Sequence, residues 1–134
     1  MIREAIAIDI PSIQNIAKNQ ALFNYGYLYQ EFVKRHFSFV IEIASQVVGY
    51  IIAFPLFAKN GFCLQVGISA EHQNKGLGTK LVAFIEQHMK DTYHTERLFA
   101  HTLKKKSLAY FRDKLSYRSW LELPYLTILC KKLT

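Results

Sequence analysis

The chain has no stretch able to cross a bilayer, since no window reaches the eighteen or so apolar residues of a membrane helix. Cysteine is scarce. The two, Cys63 and Cys130, lie in apolar, strand-like contexts without metal-ligand spacing, so no metal site is expected and both read as reduced, buried thiols of a cytosolic protein. Glycine and proline number only six and three, and no repeat, low-complexity tract or linker marks an internal boundary. The N-terminus, "MIREAIAIDIPSIQN", carries acids and lacks the long apolar core of a signal peptide. A soluble, cytoplasmic, single domain over residues 1–134, with no membrane partner, is the expectation.

What the chain does have is globular and basic. Hydrophobic residues make up 51% and charged residues 20%, which excludes disorder. Eight tyrosines and ten phenylalanines suit a core or a stacking pocket. A net charge of +7 attracts anions, whether a nucleic acid, a membrane surface or a polyphosphorylated small molecule, or reflects only a lysine-rich surface.

Hydrophobic periodicity organises the chain. "IREAIAI" alternates as a strand. A helix follows in "DIPSIQNIAKNQ", with Asp9 or Ser12 as N-cap, Pro11 in the first turn, and Ile13, Ile16 and Ala17 on one face. "YLYQEFVKRHF" reads as a second helix with Leu28, Phe32 and Val33 inward. "SFVIEIAS" and "QVVGYIIAFPLF" form a hairpin joined near Ala44 to Gln46, and Pro55 ends the second ladder. "GFCLQVGIS" is a further strand, in which Gly67 marks a bulge or a close backbone approach. From Gly76 the residues Leu77, Leu81, Val82, Phe84, Ile85 and Met89 recur at helical spacing. The strand "RLFAHTL", a helix opened by Ser107, and the strands "YRSWLEL" and "YLTILCKKL" complete the chain. The order β-α-α-β-β-β-α-β-α-β-β predicts an α/β fold, a mixed central sheet flanked by helices on both faces.

The chemistry concentrates in "SAEHQNKGLGTK", a polar turn between a strand and a helix. Gly76 and Gly78 lack Cβ, so a ligand can approach the main chain there. The helix start adds unsatisfied amide groups and a partial positive charge, which together favour a phosphate, with Lys75 and Lys80 nearby. A Walker loop would need lysine where "QNKGLGTK" has threonine, and a dinucleotide fingerprint would need a third glycine and an opening βαβ unit.

Gln73, Gly76 and Gly78, spaced Gln-x-x-Gly-x-Gly after a strand and opening a helix, resemble the acetyl-CoA-binding motif of the GNAT superfamily of N-acetyltransferases. The resemblance covers nearly the whole chain. It implies that Val66, Gly67 and Ile68 pair with the pantetheine arm of acetyl-CoA as an added strand. It implies too that the segment Gln73, Asn74, Lys75, Gly76, Leu77, Gly78 and Thr79 holds the pyrophosphate. The family's strands splay before and after this helix to seat the thioester, and Gly67 is placed for that. "LKKKS", Leu103 to Ser107, lies where the family often touches the cofactor. A solvated loop is the alternative there.

Acyl transfer to an amine requires a base for the ammonium, stabilisation of the oxyanion and protonation of the leaving thiolate. The family's pattern, N-x6-Y-x3-G-[FY], meets "KKKSLAYFRDKLSYRSW" imperfectly. Lys104 replaces asparagine, Ser116 replaces glycine, and one extra residue puts Phe111 or Arg112 at the tyrosine position. Tyr110 is the candidate acid if a helix irregularity re-aims it, since one residue is a rotation of about 100°. His101 is the candidate base. The family's acceptor site lies on the first two helices and their loop, here "NQALFNYGYLYQEF", an aromatic wall with one carboxylate, Glu31. Polycationic acceptors rank low on that count. The expectation is a metal-independent, acetyl-CoA-dependent transfer to a primary amine of a small molecule or protein. A catalytically weak coenzyme A-binding module is the alternative, a nucleic-acid-binding domain is ranked below it because the lysines are dispersed, and a homodimer is open.

Overall fold

The computed structural model of the protein describes residues 1–103 and 105–133, the side chains of Lys105 and Lys106 excepted. Among these the order is β1 (Ile2–Glu4), α1 (Ile10–Asn19), α2 (Leu28–Lys34), β2 (Ser38–Ile43), β3 (Gln46–Pro55), β4 (Asn60–Ile68), α3 (Leu77–Tyr93), β5 (Arg97–Thr102), α4 (Lys105–Asp113), β6 (Arg118–Leu123) and β7 (Leu126–Lys132). Short 3-10 turns stand at Ala7–Asp9 and Ala70–His72. The element order matches the sequence reading. The strands form one seven-stranded sheet in the order β1-β2-β3-β4-β5-β7-β6. β4 and β5 pair in parallel, which requires a crossover, and α3 supplies it. Strands β1–β2, β2–β3, β5–β7 and β6–β7 are antiparallel. The result is the mixed α/β architecture, a mostly antiparallel sheet flanked by helices.

The chain resolves into two compact units, Met1–Ala53 with Gln65–Ala83, and Phe54–Leu64 with Phe84–Thr134. In the first, the β2–β3 hairpin turns on Ala44 and Ser45, whose φ of 52° and 62° are the two left-handed positions of a type I′ turn. Ile13, Ile16 and Ala17 of α1 are buried as expected. On α2 the inward residue is Tyr29, 1% exposed, and not Leu28, which is 39% exposed. The reason is polar as well as apolar, because the Tyr29 hydroxyl finds buried partners while Leu28 has none to find. Asp9 makes no cap to α1; its carboxylate accepts the Ile6 amide at 2.8 Å and a bidentate pair from Arg3 at 2.7 and 2.9 Å. Arg3 also holds Glu42, so that carboxylate serves the β1–β2 edge. Gly67 is glycine for a packing reason: a Cβ there would stand 2.5 Å from the Tyr50 ring and 3.2 Å from Ile16.

In the second unit the parallel ladder runs from Asn60–Arg97 to Cys63–Ala100 and stops. Leu98, Ala100 and Leu129 form its buried face, and a Cβ at Gly61 would meet Met89 of α3 at 2.7 Å. Glu86 of α3 accepts from the Tyr117 hydroxyl at 2.8 Å and from Lys131 Nζ at 3.1 Å. Helix α4 starts at Lys105, two residues before the Ser107 start signal. Beyond the helix, Ser116, at the position of the family's glycine, has φ 64°, and the Tyr117 amide reaches back to the Phe111 carbonyl at 2.9 Å. No π-bulge is needed, and α4 keeps one register throughout.

Candidate functional site

The polar turn ends β4 and opens α3. The segment begins with Ser69, whose amide bonds Val48 on β3 at 2.8 Å and whose hydroxyl meets His72 Nδ1 at 2.9 Å. Asn74 and Gly76 then take positive φ, 62° and 78°. Asparagine and glycine are the residues that adopt this region at least cost, so the two reversals are written into "QNKG". A Cβ built at Gly76 meets nothing within 4 Å, so the bare main chain faces open space. Helix α3 makes its first backbone bond from Lys80 to the Gly76 carbonyl at 3.1 Å, and the amides of its opening turn lie ahead of that bond. Gln73, Asn74, Lys75 and Gly76 are exposed, Gly78 and Thr79 are half-buried, and Leu77 alone turns into the core. The turn therefore offers donors, a dipole and room to an anion.

Val66, Gly67 and Ile68 lie on β4 past the end of the β5 ladder. The divergence of the two strands begins after Cys63, not at Gly67, and it is marked by a side chain: His101 Nε2 donates to the Leu64 carbonyl at 3.0 Å. That bond holds the proton on Nε2 and leaves Nδ1 as the acceptor. The ring lies 5.5 Å from Phe62. Tyr110 is half-buried on α4, edge-on to Phe111 at 6.0 Å. Phe111 is buried against Tyr117 at 5.3 Å, and Arg112 points outward to Ser119 and to Glu122 at 2.6 Å. Lys104 of "LKKKS" lies outside the described residues, as do the side chains of Lys105 and Lys106. Gln73 donates to the Ile68 carbonyl at 3.1 Å and to Gln20 at 2.5 Å, tying the turn to the end of α1.

One residue of this region is not singled out by sequence. Gln65, 8% exposed on β4, accepts through Oε1 from the Tyr50 hydroxyl at 2.6 Å and the Tyr29 hydroxyl at 3.0 Å. Its Nε2 donates to the Phe23 carbonyl at 2.9 Å, and that carbonyl also lies 3.1 Å from the Tyr29 hydroxyl. Burial, then Tyr29 nearby, pushes the Tyr50 phenol far above its ordinary pKa. The signal was present: in "CLQVG" the alternation puts Gln65 on the same side as Cys63 and Gly67. The cluster fixes the α1–α2 loop by its backbone and leaves Phe23 and Tyr27 exposed while Tyr25 packs edge-on to Phe23, Tyr29 and Phe32.

A strand, a turn open to an anion and a crossover helix on a mixed sheet are compatible with an acyl-CoA type of transferase fold. The chain matches the Acetyltransferase (GNAT) family over residues 5–117 and belongs to that family. None of the curated proteins matches it in sequence. Among solved structures, N-acetylglutamate synthase from Neisseria gonorrhoeae, complexed with coenzyme A and N-acetyl-glutamate, is 20% identical with a TM-score of 0.83; the chain is covered fully but spans only 35% of that protein. Ard1 from Thermoplasma volcanium is 17% identical, covers 100% of this chain and 97% of its own, and has a TM-score of 0.89. The PaiA N-acetyltransferase from Thermoplasma acidophilum, in complex with coenzyme A, is 15% identical over 98% of each chain with a TM-score of 0.81.

Proposed function

We propose that the protein is an acetyl-CoA-dependent N-acetyltransferase that acts on a primary amine. The observation that carries this is the turn from Gln73 to Thr79, where two left-handed residues and an unobstructed Gly76 open a helix. These features fit a pyrophosphate, with Lys75 exposed beside it, and the β4 backbone at Val66, Gly67 and Ile68 fits a pantetheine arm. Bound there, acetyl-CoA supplies an activated acyl group. His101, with Nδ1 left as its acceptor, takes a proton from the incoming ammonium. Tyr110 is the phenol of α4 we assign to return a proton to the departing sulfur; α4 has no irregularity to re-aim it, so the sulfur must lie on the side of the helix where Tyr110 already points. The net change joins the acyl carbon to nitrogen and breaks its bond to sulfur, and two protons leave the ammonium, one released to solvent through His101 and one delivered to sulfur. The acceptor is an amine of a small molecule or a protein, reached along the α1–α2 loop. That Phe111 cannot donate a proton favours slow chemistry, and at its limit a coenzyme A-binding module.

The test is a calorimetric titration with acetyl-CoA. Wild type and Lys90→Ala should bind alike, and Gly76→Val should lose at least about tenfold in affinity, or about 1.4 kcal/mol. Equal affinities in the two variants would contradict the assignment. An amine screen then asks for turnover, with Tyr110→Phe and His101→Gln each expected to lower kcat by about a hundredfold without changing acetyl-CoA affinity.

A further inference from the structure

The β6–β7 hairpin carries an uncovered apolar face on its own account. Trp120 is 63% exposed and Tyr125 73%, and Leu121 and Leu123 are exposed beside them. The register explains why they share a face. Leu121 and Leu123 pair with Ile128 and Leu126, and Ile128 pairs with His101, on the side away from buried Ala100 and Leu129. Trp120 sits at the bulge between Ser119 and Leu121 and packs edge-on to Phe99 at 5.4 Å, on that same side.

The charge on this face is of one sign. Arg118 pairs with Cys130, and Cys130 with Phe99, so Arg118 lies level with the tryptophan; Arg97 and Lys132 pair with each other one step further along. All three are exposed, and among the described residues none makes an ion pair. Three of the acids of this half are engaged elsewhere: Glu86 by Lys131, Glu96 by Lys59 at 3.6 Å, and Glu122 by Arg112. The strand register puts no acid on the face.

We propose that this face docks an acidic, apolar-bearing segment of a partner protein, laid along the edge strand β6. Edge position leaves β6 with an unpaired row of backbone groups, the leucines and tryptophan supply apolar contact, and the three cations supply the sign. A second copy fits less well, because it brings another +7 and the same cations. A nucleic acid could stack on Trp120 and Tyr125, but Leu121, Leu123 and Ile128 between them offer it neither a stacking face nor a phosphate contact, so it fits less well.

Trp120 is the one tryptophan of the chain, so its emission reports on this face alone. The experiment titrates the full-length protein with a peptide of alternating glutamate and valine, with glutamate–serine and lysine–valine peptides and an oligothymidylate as comparisons. The expected result is a blue shift with glutamate–valine only, weakened about tenfold by Arg118→Glu or Leu121→Asp and by about 1 M salt. Both variants keep Trp120, and their unchanged acetyl-CoA binding checks that they fold. No shift with glutamate–valine overturns the proposal. So does an equal shift with glutamate–serine, a stronger one with the oligonucleotide, or a shift on raising protein concentration alone that sediments as a dimer.

Discussion

Three buried tyrosines in this molecule are satisfied in two opposite ways. Tyr50 and its neighbour Tyr29 give their hydroxyl protons to the neutral amide of Gln65, which in turn donates to the Phe23 carbonyl. Tyr117 gives its proton to the carboxylate of Glu86, which Lys131 also holds. The neutral cluster anchors the α1–α2 loop at the candidate site, and the charged one locks α3 and β7 with the strand β6 that follows Tyr117. A neutral cluster keeps its strength as pH changes. A charged one has stronger bonds, couples to neighbouring ionisable groups, and leaves a costlier gap when one member is removed.

The largest expected effect breaks the charged cluster. Glu86→Ala leaves the Tyr117 hydroxyl, in a residue 2% exposed, without its partner and should cost about 3 kcal/mol in urea unfolding. Lys131 is better placed to turn to water, so it adds little. Gln65→Leu should cost less, about 2 kcal/mol, because Tyr29 retains the Phe23 carbonyl and Tyr50 alone is orphaned. A loss in Gln65→Leu larger than in Glu86→Ala would reverse the ranking. Gln65→Leu should also weaken the hold on the α1–α2 loop, read as faster amide exchange at Tyr25 and Gly26.

The pH response separates the clusters further. Cys63 is pushed up to about 12, first by burial and then by Glu86, and the same two causes raise the Tyr117 phenol. A raised folded-state pKa contributes stability that is complete below the unfolded value and is lost as pH climbs toward the folded one. For Cys63 that window opens near 9, the ordinary thiol value, and closes near 12. Unfolding free energy should thus stay level to pH 9 on this account and decline above it. Glu86→Gln removes the second cause from both groups, so its decline should end at a lower pH and be smaller in total, although its stability at pH 7 is lower. Declines of equal extent in wild type and Glu86→Gln would show that burial alone sets these pKa values.

How much of this was legible in the sequence follows from which interactions are local. The glycine turn was legible because its dihedrals are dictated residue by residue: Asn74 and Gly76 are the types that tolerate positive φ, and they stand in "QNKG". The element order was legible because periodicity is local too. The inward choice of Tyr29 over Leu28 was not, since it depends on Gln65, thirty-six residues away. Gly67 was read as a bulge or a close backbone approach, and what approaches it, the ring of Tyr50 on another strand, was not legible. Which of Phe111 and Arg112 stands at the family's tyrosine position was not legible, because Lys104 and Tyr117 anchor two different countings. Long-range polar pairing is what a single sequence hides.

The finest comparison removes one hydroxyl from each cluster. Tyr117→Phe deletes a bond to a carboxylate, which in this setting is worth about 2 kcal/mol. Tyr50→Phe deletes a bond between neutral groups, worth about 1 kcal/mol, and leaves Gln65 Oε1 still paired with Tyr29. Phenylalanine fills the same space in both cases, so the difference in midpoint denaturant concentration at constant slope isolates the polar contribution. Equal losses would mean that Lys131, 5.7 Å above the Tyr117 ring, satisfies Glu86 fully without the phenol. The charged cluster would then behave as an ion pair with an incidental tyrosine, and the contrast with Gln65 would rest on Glu86 and Lys131 alone.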